Sequence, residues 1–232
     1  MSTPRRLFIT GTDTGVGKTW VTVRLLEAAR ERGLPACGYK PIASGAERHG
    51  QGWANEDALA LQAVSWGSPG YEQVNPLLLR EAVAPHLAAR SEGQVIDTAR
   101  LSAGLERLPA GHALCLIEGA GGWLTPLDER RSYADWVVEQ GWPVVLVVAL
   151  RLGCLNHAQL SVAAIQARAP LVGWIANLPD PTMPRWAENL DDLRQRLPVP
   201  LLGAFTDGAP APVAATVLAR LLDDPRPASD RR

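Results

Sequence analysis

The chain has 232 residues and a formal net charge of -1, with 23 Lys and Arg against 24 Asp and Glu, so nothing draws it globally toward nucleic acid or an anionic membrane. That length suits one α/β domain, which buries roughly 70–75% of its unfolded surface and needs no metal or disulfide staple. Three widely spaced cysteines (Cys37, Cys115, Cys154) and four histidines without ligand spacing suit buried thiols in a reducing, cytoplasmic setting better than a disulfide or metal framework.

The first strand is predicted at Leu7–Thr10 and a helix at Lys18–Arg32. Between them lies Gly11-Thr12-Asp13-Thr14-Gly15-Val16-Gly17-Lys18-Thr19. Glycines let backbone N–H groups converge on one point, the helix start adds positive potential, and Lys18 reaches terminal phosphate oxygens. Thr19 supplies the hydroxyl that joins a Mg²⁺ shell in such loops. Thr12 stands where the common pattern has glycine, and Asp13 replaces the second lysine that partition-type ATPases carry here.

A strand over Ala36–Pro41 delivers Lys40, followed by Ser44 and Gly45. A strand-end lysine can stabilise charge developing at a carbonyl or phosphoryl oxygen, although alone it reads as a surface charge. Gly45–Ala54 is expected to be a mobile loop. In the next helix, Asn55–Trp66, Asp57 is either a metal-holding acid or part of an acidic first turn. A helix at Asp97–Leu108 precedes the strand Ala113–Glu118, where a carboxylate before Gly119-Ala120-Gly121-Gly122 can meet a metal or nucleotide, or else a helix start.

Further on come a helix at Tyr133–Gln140 and an unbroken apolar strand at Val144–Leu150. The apolar run around that strand is far below the ~20 residues that span a bilayer. The turn Leu152-Gly153-Cys154-Leu155-Asn156 then leads into a helix at Asn156–Arg168, either offering N–H groups to an anion or simply capped by Asn156. A strand at Leu171–Asn177, a helix at Trp186–Leu197, a strand at Leu201–Phe205 and a helix at Pro212–Leu222 complete the alternation. Continuously apolar strands separated by helices predict a P-loop NTPase-like, doubly wound, mostly parallel sheet with helices on both faces and ligands at its carboxyl edge. Residues 1–222 read as one domain, and the polar stretch Asp223–Arg232 as a disordered tail.

The motifs TGTDTGVGKT, GYKPIASG, NEDALAL, VNP, APH, IEGAGGWLTPL, LGCLNHAQLS and GWIAN, in this order, resemble the dethiobiotin synthetase family over roughly residues 5–205. The resemblance implies that 7,8-diaminononanoate, CO₂ (or bicarbonate) and ATP give dethiobiotin, ADP and phosphate through a carbamate and its phosphoric anhydride. It implies that Gly15, Val16, Gly17, Lys18, Thr19, Trp20, Glu118, Gly119, Ala120, Gly121 and Asn177 bind ATP, Asn177 by its adenine. Thr19, Asp57 and Glu118 would hold Mg²⁺, Lys18 and Lys40 would be catalytic, and Thr14, Lys40 and Ser44 would lie by the diamine. It further implies a homodimer in which Gly153, Cys154, Leu155 and Asn156 bind the substrate carboxylate of the neighbouring subunit's site. Two positions depart from relatives: Gly15 replaces a Glu that some carry, and Gly203–Asp207 lacks a proline on the adenine side.

Two other readings share the phosphate loop. A corrin-type amide synthetase would need a glutaminase domain for which no length remains, and a partition ATPase would need the lysine that Asp13 replaces.

Overall fold

The computed structural model describes residues 3–206 and 210–223. Six strands form one sheet: β1 (Arg5–Gly11), β2 (Ala36–Tyr39), β3 (Leu114–Gly122), β4 (Val144–Ala149), β5 (Leu171–Asn177) and β6 (Leu201–Phe205). All of its pairings are parallel, in the order β6-β5-β4-β1-β3-β2, which makes the main sheet wholly rather than mostly parallel. Alternation along β1 explains the two-sided core. Leu7 and Ile9 pack into a cluster with Val21, Leu25, Leu61 and Val217, whereas Phe8 faces the other way into a cluster with Tyr133, Trp136 and Ile165.

Nine helices surround the sheet among the described residues: α1 (Lys18–Glu31), α2 (Glu56–Val64), α3 (Tyr71–Val74), α4 (Pro85–Ser91), α5 (Thr98–Gly104), α6 (Tyr133–Gln140), α7 (Cys154–Gln166), α8 (Trp186–Arg196) and α9 (Pro210–Asp223). Asp97 caps α5 by accepting from the Ala99 and Arg100 amides, and a 3₁₀ turn at Leu105–Arg107 replaces the rest of the single helix expected there. Neighbouring β2 and β3 place Cys37 opposite Cys115, and all three cysteines are free and buried. No helix among the described residues is long and apolar enough to cross a membrane.

Three expectations need correction. Gly45–Ala54, expected as a mobile loop, contains an antiparallel ribbon, Glu47–His49 against Gly52–Ala54, with the guanidinium groups of Arg48 and Arg80 at 4.7 and 5.3 Å from the Trp53 ring. The strand carrying Glu118 continues to Gly122, so Glu118 is an interior, fully buried strand residue and no helix cap. Helix α7 begins at Cys154, with left-handed Gly153 (φ 92°) as its cap, so Asn156 lies inside the first turn. Apart from Asp223, which ends α9, the expected disordered tail lies outside the described residues, as does Asp207.

Candidate active site

The loop after β1 turns on Gly15 and Gly17, both left-handed at φ 71° and 88°. Gly17 is also crowded: a Cβ there would come within 2.1 Å of the Asn177 amide nitrogen. That amide donates to the Val16 carbonyl at 3.0 Å, so the end of β5 supports the loop from beneath. Val16 itself points into the core. Lys18, buried and folded back over the loop, donates to the Asp13 and Gly121 carbonyls at 3.0 and 2.7 Å.

Because β3 lies between β1 and β2, the loops after β1 and β2 meet over Glu118. Its Oε1 accepts from Thr19 Oγ1 and from Lys40 Nζ, each at 2.6 Å, and Lys40 also meets Asp57 Oδ2 at 3.0 Å. Burial alone would depress the Lys40 ammonium, but the Glu118 and Asp57 carboxylates raise it above its ordinary value. Burial also disfavours an ionised Asp57, yet the charges of Lys40 and Lys18 hold it below the usual carboxylate range. Lys18 falls to about 8, mainly through burial and then through the charge of Lys40, with Glu118, Asp57 and Asp13 opposing.

These groups border a cavity of about 730 Å³. Thr14, Gly15, Gly17, Lys18, Thr19, Trp20, Lys40, Ser44, Asp57, Ala120 and Gly121 line it. Glu118 forms the buried floor beneath Thr19 and Lys40, and Gly119 packs on Phe8, where a Cβ would sit 2.7 Å from the ring. Gly153, Cys154, Leu155 and Asn156 do not border this cavity, and Cys154 is buried. The nearby link is Arg151: its guanidinium reaches Asp13 at 2.6 Å, and its carbonyl accepts from the Cys154 amide. Asp13 in turn accepts from the Thr14 amide at 2.7 Å. Residue-by-residue reading missed Arg151, the lining residue Asn55 and the wall Ala84-Pro85, although Asn55 opens NEDALAL and Ala84-Pro85 begins APH.

Glu118 Oε2 is buried without a hydrogen-bond partner. An orphaned carboxylate oxygen beside a hydroxyl and a second carboxylate is a donor set suited to Mg²⁺, which takes one or two carboxylates and completes its shell with phosphate and water. Among the described residues there is no richer cluster of His, Cys, Asp and Glu that could hold a metal.

A family described as an AAA domain matches residues 5–207. Among solved structures, the MinC:MinD cell division protein complex of Aquifex aeolicus superposes with a TM-score of 0.58 at 13% identity, covering 96% of this chain and 97% of that one. MinD of Pyrococcus horikoshii, complexed with Mg-ADP, gives 0.54 at 19% identity, covering 96% and 97%. At such identities the likeness establishes a P-loop NTPase fold and no more. The sequence relatives are much closer. The ATP-dependent dethiobiotin synthetase of Aromatoleum aromaticum is 49% identical over 94% of this chain and 98% of its own, and that of Xylella fastidiosa (strain 9a5c) is 50% identical over 92% and 95%. With half of its residues shared across nearly the whole length of such relatives, this chain belongs to the ATP-dependent dethiobiotin synthetase family.

Proposed function

We propose that the protein converts 7,8-diaminononanoate, CO₂ and ATP into dethiobiotin, ADP and phosphate in biotin synthesis, acting in the cytoplasm as one domain over residues 1–222. The observation that carries this reading is the buried Lys40, held between Glu118 and Asp57 and facing the same cavity as Lys18, Thr14 and Ser44. A nucleotide switch needs the phosphate loop and an acid. A second buried cation beside them serves a reaction in which negative charge moves.

In the reaction, one amine adds to CO₂ and loses a proton, giving a carbamate. A carbamate oxygen attacks the γ-phosphorus and ADP leaves. The second amine then attacks the carbamoyl carbon of the mixed anhydride, loses a proton and expels phosphate, closing the urea ring. Phosphorylation is needed because an unactivated carbamate under amine attack could expel only oxide, whereas the anhydride expels phosphate. Once it is activated, positioning and charge stabilisation suffice and no protein nucleophile takes part.

Within this scheme the amides of Gly15–Thr19 and the Lys18 ammonium hold the phosphates. Lys40 faces the carbamate and the transferring phosphoryl group, and Thr14 and Ser44 orient the diamine. Asn177, at the end of β5, would lie beside the adenine. Mg²⁺, held by Thr19, Asp57 and Glu118, would neutralise phosphate charge when bound. Those two carboxylates now bind Lys40, which holds both side chains in place at the edge of the cavity.

The diamine carboxylate is assigned to the α7 start, Gly153 to Asn156, of a second copy, which makes the active form a homodimer. The exposed apolar side chains Leu124, Leu152 and Leu160 near that helix suit such an interface.

The test is to incubate the purified protein with the diamine, bicarbonate, Mg²⁺ and ATP. Phosphate release should depend on the diamine and match, mole for mole, a product with the mass of the cyclic urea. ATP turnover indifferent to the diamine would overturn the assignment in favour of a nucleotide switch.

A further inference from the structure

One residue of the cavity wall is out of keeping with phosphate chemistry. Trp20, directly after Thr19 in the first turn of α1, borders the cavity yet is 40% exposed. The Trp20 and Phe205 rings stand perpendicular, with centroids 5.1 Å apart and planes at 89°, and Phe205 is itself buried at the end of β6. Arg24, one helical turn on, places its guanidinium 5.5 Å from the Trp20 ring and pairs with Glu27 at 2.6 Å. An indole held by a perpendicular aromatic ring and a cation, yet partly exposed where it borders the cavity, offers a stacking surface.

Sheet order states which part of a nucleotide arrives there. Lys40, Asp57 and Glu118 gather on the β3–β2 side of the phosphate loop, so the reacting terminal phosphate lies on that side. The nucleoside end then runs the opposite way, toward the ends of β5 and β6. Asn177 and Phe205 sit there side by side in register, and Phe205 backs Trp20. The polar group best placed to read a base edge, the Asn177 amide, already donates to Val16 and packs against Gly17.

We propose that Trp20, backed by Phe205, is the platform on which the nucleobase stacks, and that this stacking makes the enzyme tolerant of base identity. The proposal rests on the phosphate-loop reading above and adds to it the determinant of nucleotide choice. Stacking is sequence-tolerant because every base presents a π face, whereas discrimination comes from hydrogen bonds that a buried amide would have to make.

Calorimetric titration of the full chain with ATP, GTP, CTP and inorganic tripolyphosphate tests it, using Trp20→Leu and Trp20→Phe. Tripolyphosphate reads the loop alone. The expected result is that Trp20→Leu binds ATP about tenfold more weakly than wild type, while tripolyphosphate affinity is the same in both. Trp20→Phe should keep most of the ATP affinity, and GTP and CTP should bind wild type within a few fold of ATP. Trp20 fluorescence, taken as the difference between wild type and Trp20→Phe, should be quenched by nucleotides and not by tripolyphosphate. Equal loss of ATP and tripolyphosphate affinity in Trp20→Leu would make Trp20 a structural residue and overturn the proposal. Sharp ATP selectivity that survives Trp20→Leu would overturn it as well. Wild type binding tripolyphosphate as tightly as ATP would remove the platform and leave the phosphate loop standing, whereas binding neither would remove both.

Discussion

Lys40 combines a structural role with the proposed chemistry in one side chain. It is the hydrogen-bonding cation of a carboxylate that has no exposure, so removing it strands Glu118 in the interior. Breaking a buried pair from one side typically costs about 3–5 kcal/mol. Lys40→Ala should therefore lose ring formation and also fall in urea-unfolding stability by that order, and adding Glu118→Gln should recover much of the stability and none of the activity. Equal stability of wild type and Lys40→Ala would show that Glu118 finds water or another partner once Lys40 is gone. The raised Lys40 stabilises the fold fully below its unfolded value of 10.5, and this contribution is lost only as pH climbs through the folded value above that. Lys18 has the opposite sign. Its folded value of about 8 lies below 10.5, so the unfolded chain holds the extra proton and this residue makes stability rise with pH across that interval. Phosphate binding reverses the effect by favouring the ammonium. At pH 9, titrating ATP in buffers of different ionisation enthalpy should reveal uptake of part of a proton, and Lys18→Met should abolish it.

At the level of elements, the six strands were legible because each is covered on both faces and reads as an unbroken apolar run. Leu171–Asn177 and Leu201–Phe205 match their expected bounds. The ribbon at Glu47–Ala54 was not legible, since its residues are mostly exposed and its order comes from Trp53 and from Arg80, which is distant in sequence. Each exposed cation–π contact contributes about 0.5–1 kcal/mol, so Trp53→Ala should speed amide exchange in the ribbon while lowering global stability by no more than about 2 kcal/mol. Unchanged exchange would mean that the flanking backbone bonds from Gly45 and Ala46 hold it alone. The start of α7 was misplaced for a different reason: its cap is the left-handed backbone of Gly153, which leaves no side-chain signature. Arg151–Asp13 was likewise invisible, because it joins residues 138 positions apart. With both side chains close to half exposed, its coupling should be below about 1 kcal/mol in a double-mutant cycle and should fade with salt. Coupling well above that would mean the pair is desolvated in solution.

For the whole molecule, the resemblance implies that the two halves of the site lie in different protomers; within one chain the α7 start borders no part of the cavity. Mixing makes it testable. On the proposed division, a Lys40→Ala protomer would lack the chemistry, and an Asn156→Asp protomer would set a negative charge against the substrate carboxylate. Each alone should be inactive, and a refolded mixture should regain about a quarter of wild-type activity on statistical pairing of one intact site per heterodimer. Failure to regain any activity would place both functions within a single protomer.

The two sulfhydryls of the sheet lend themselves to a further use. Cys37 is pushed up to about 11 by burial, and Cys115 beside it higher still, so neither presents a thiolate to a reagent while the fold is closed. A slow alkylating dye should therefore tag these two sites only when the sheet itself opens, giving a clock for global unfolding that needs no engineered reporter. The same inertness means that one cysteine added on the surface could be derivatised over a very low background from these strands.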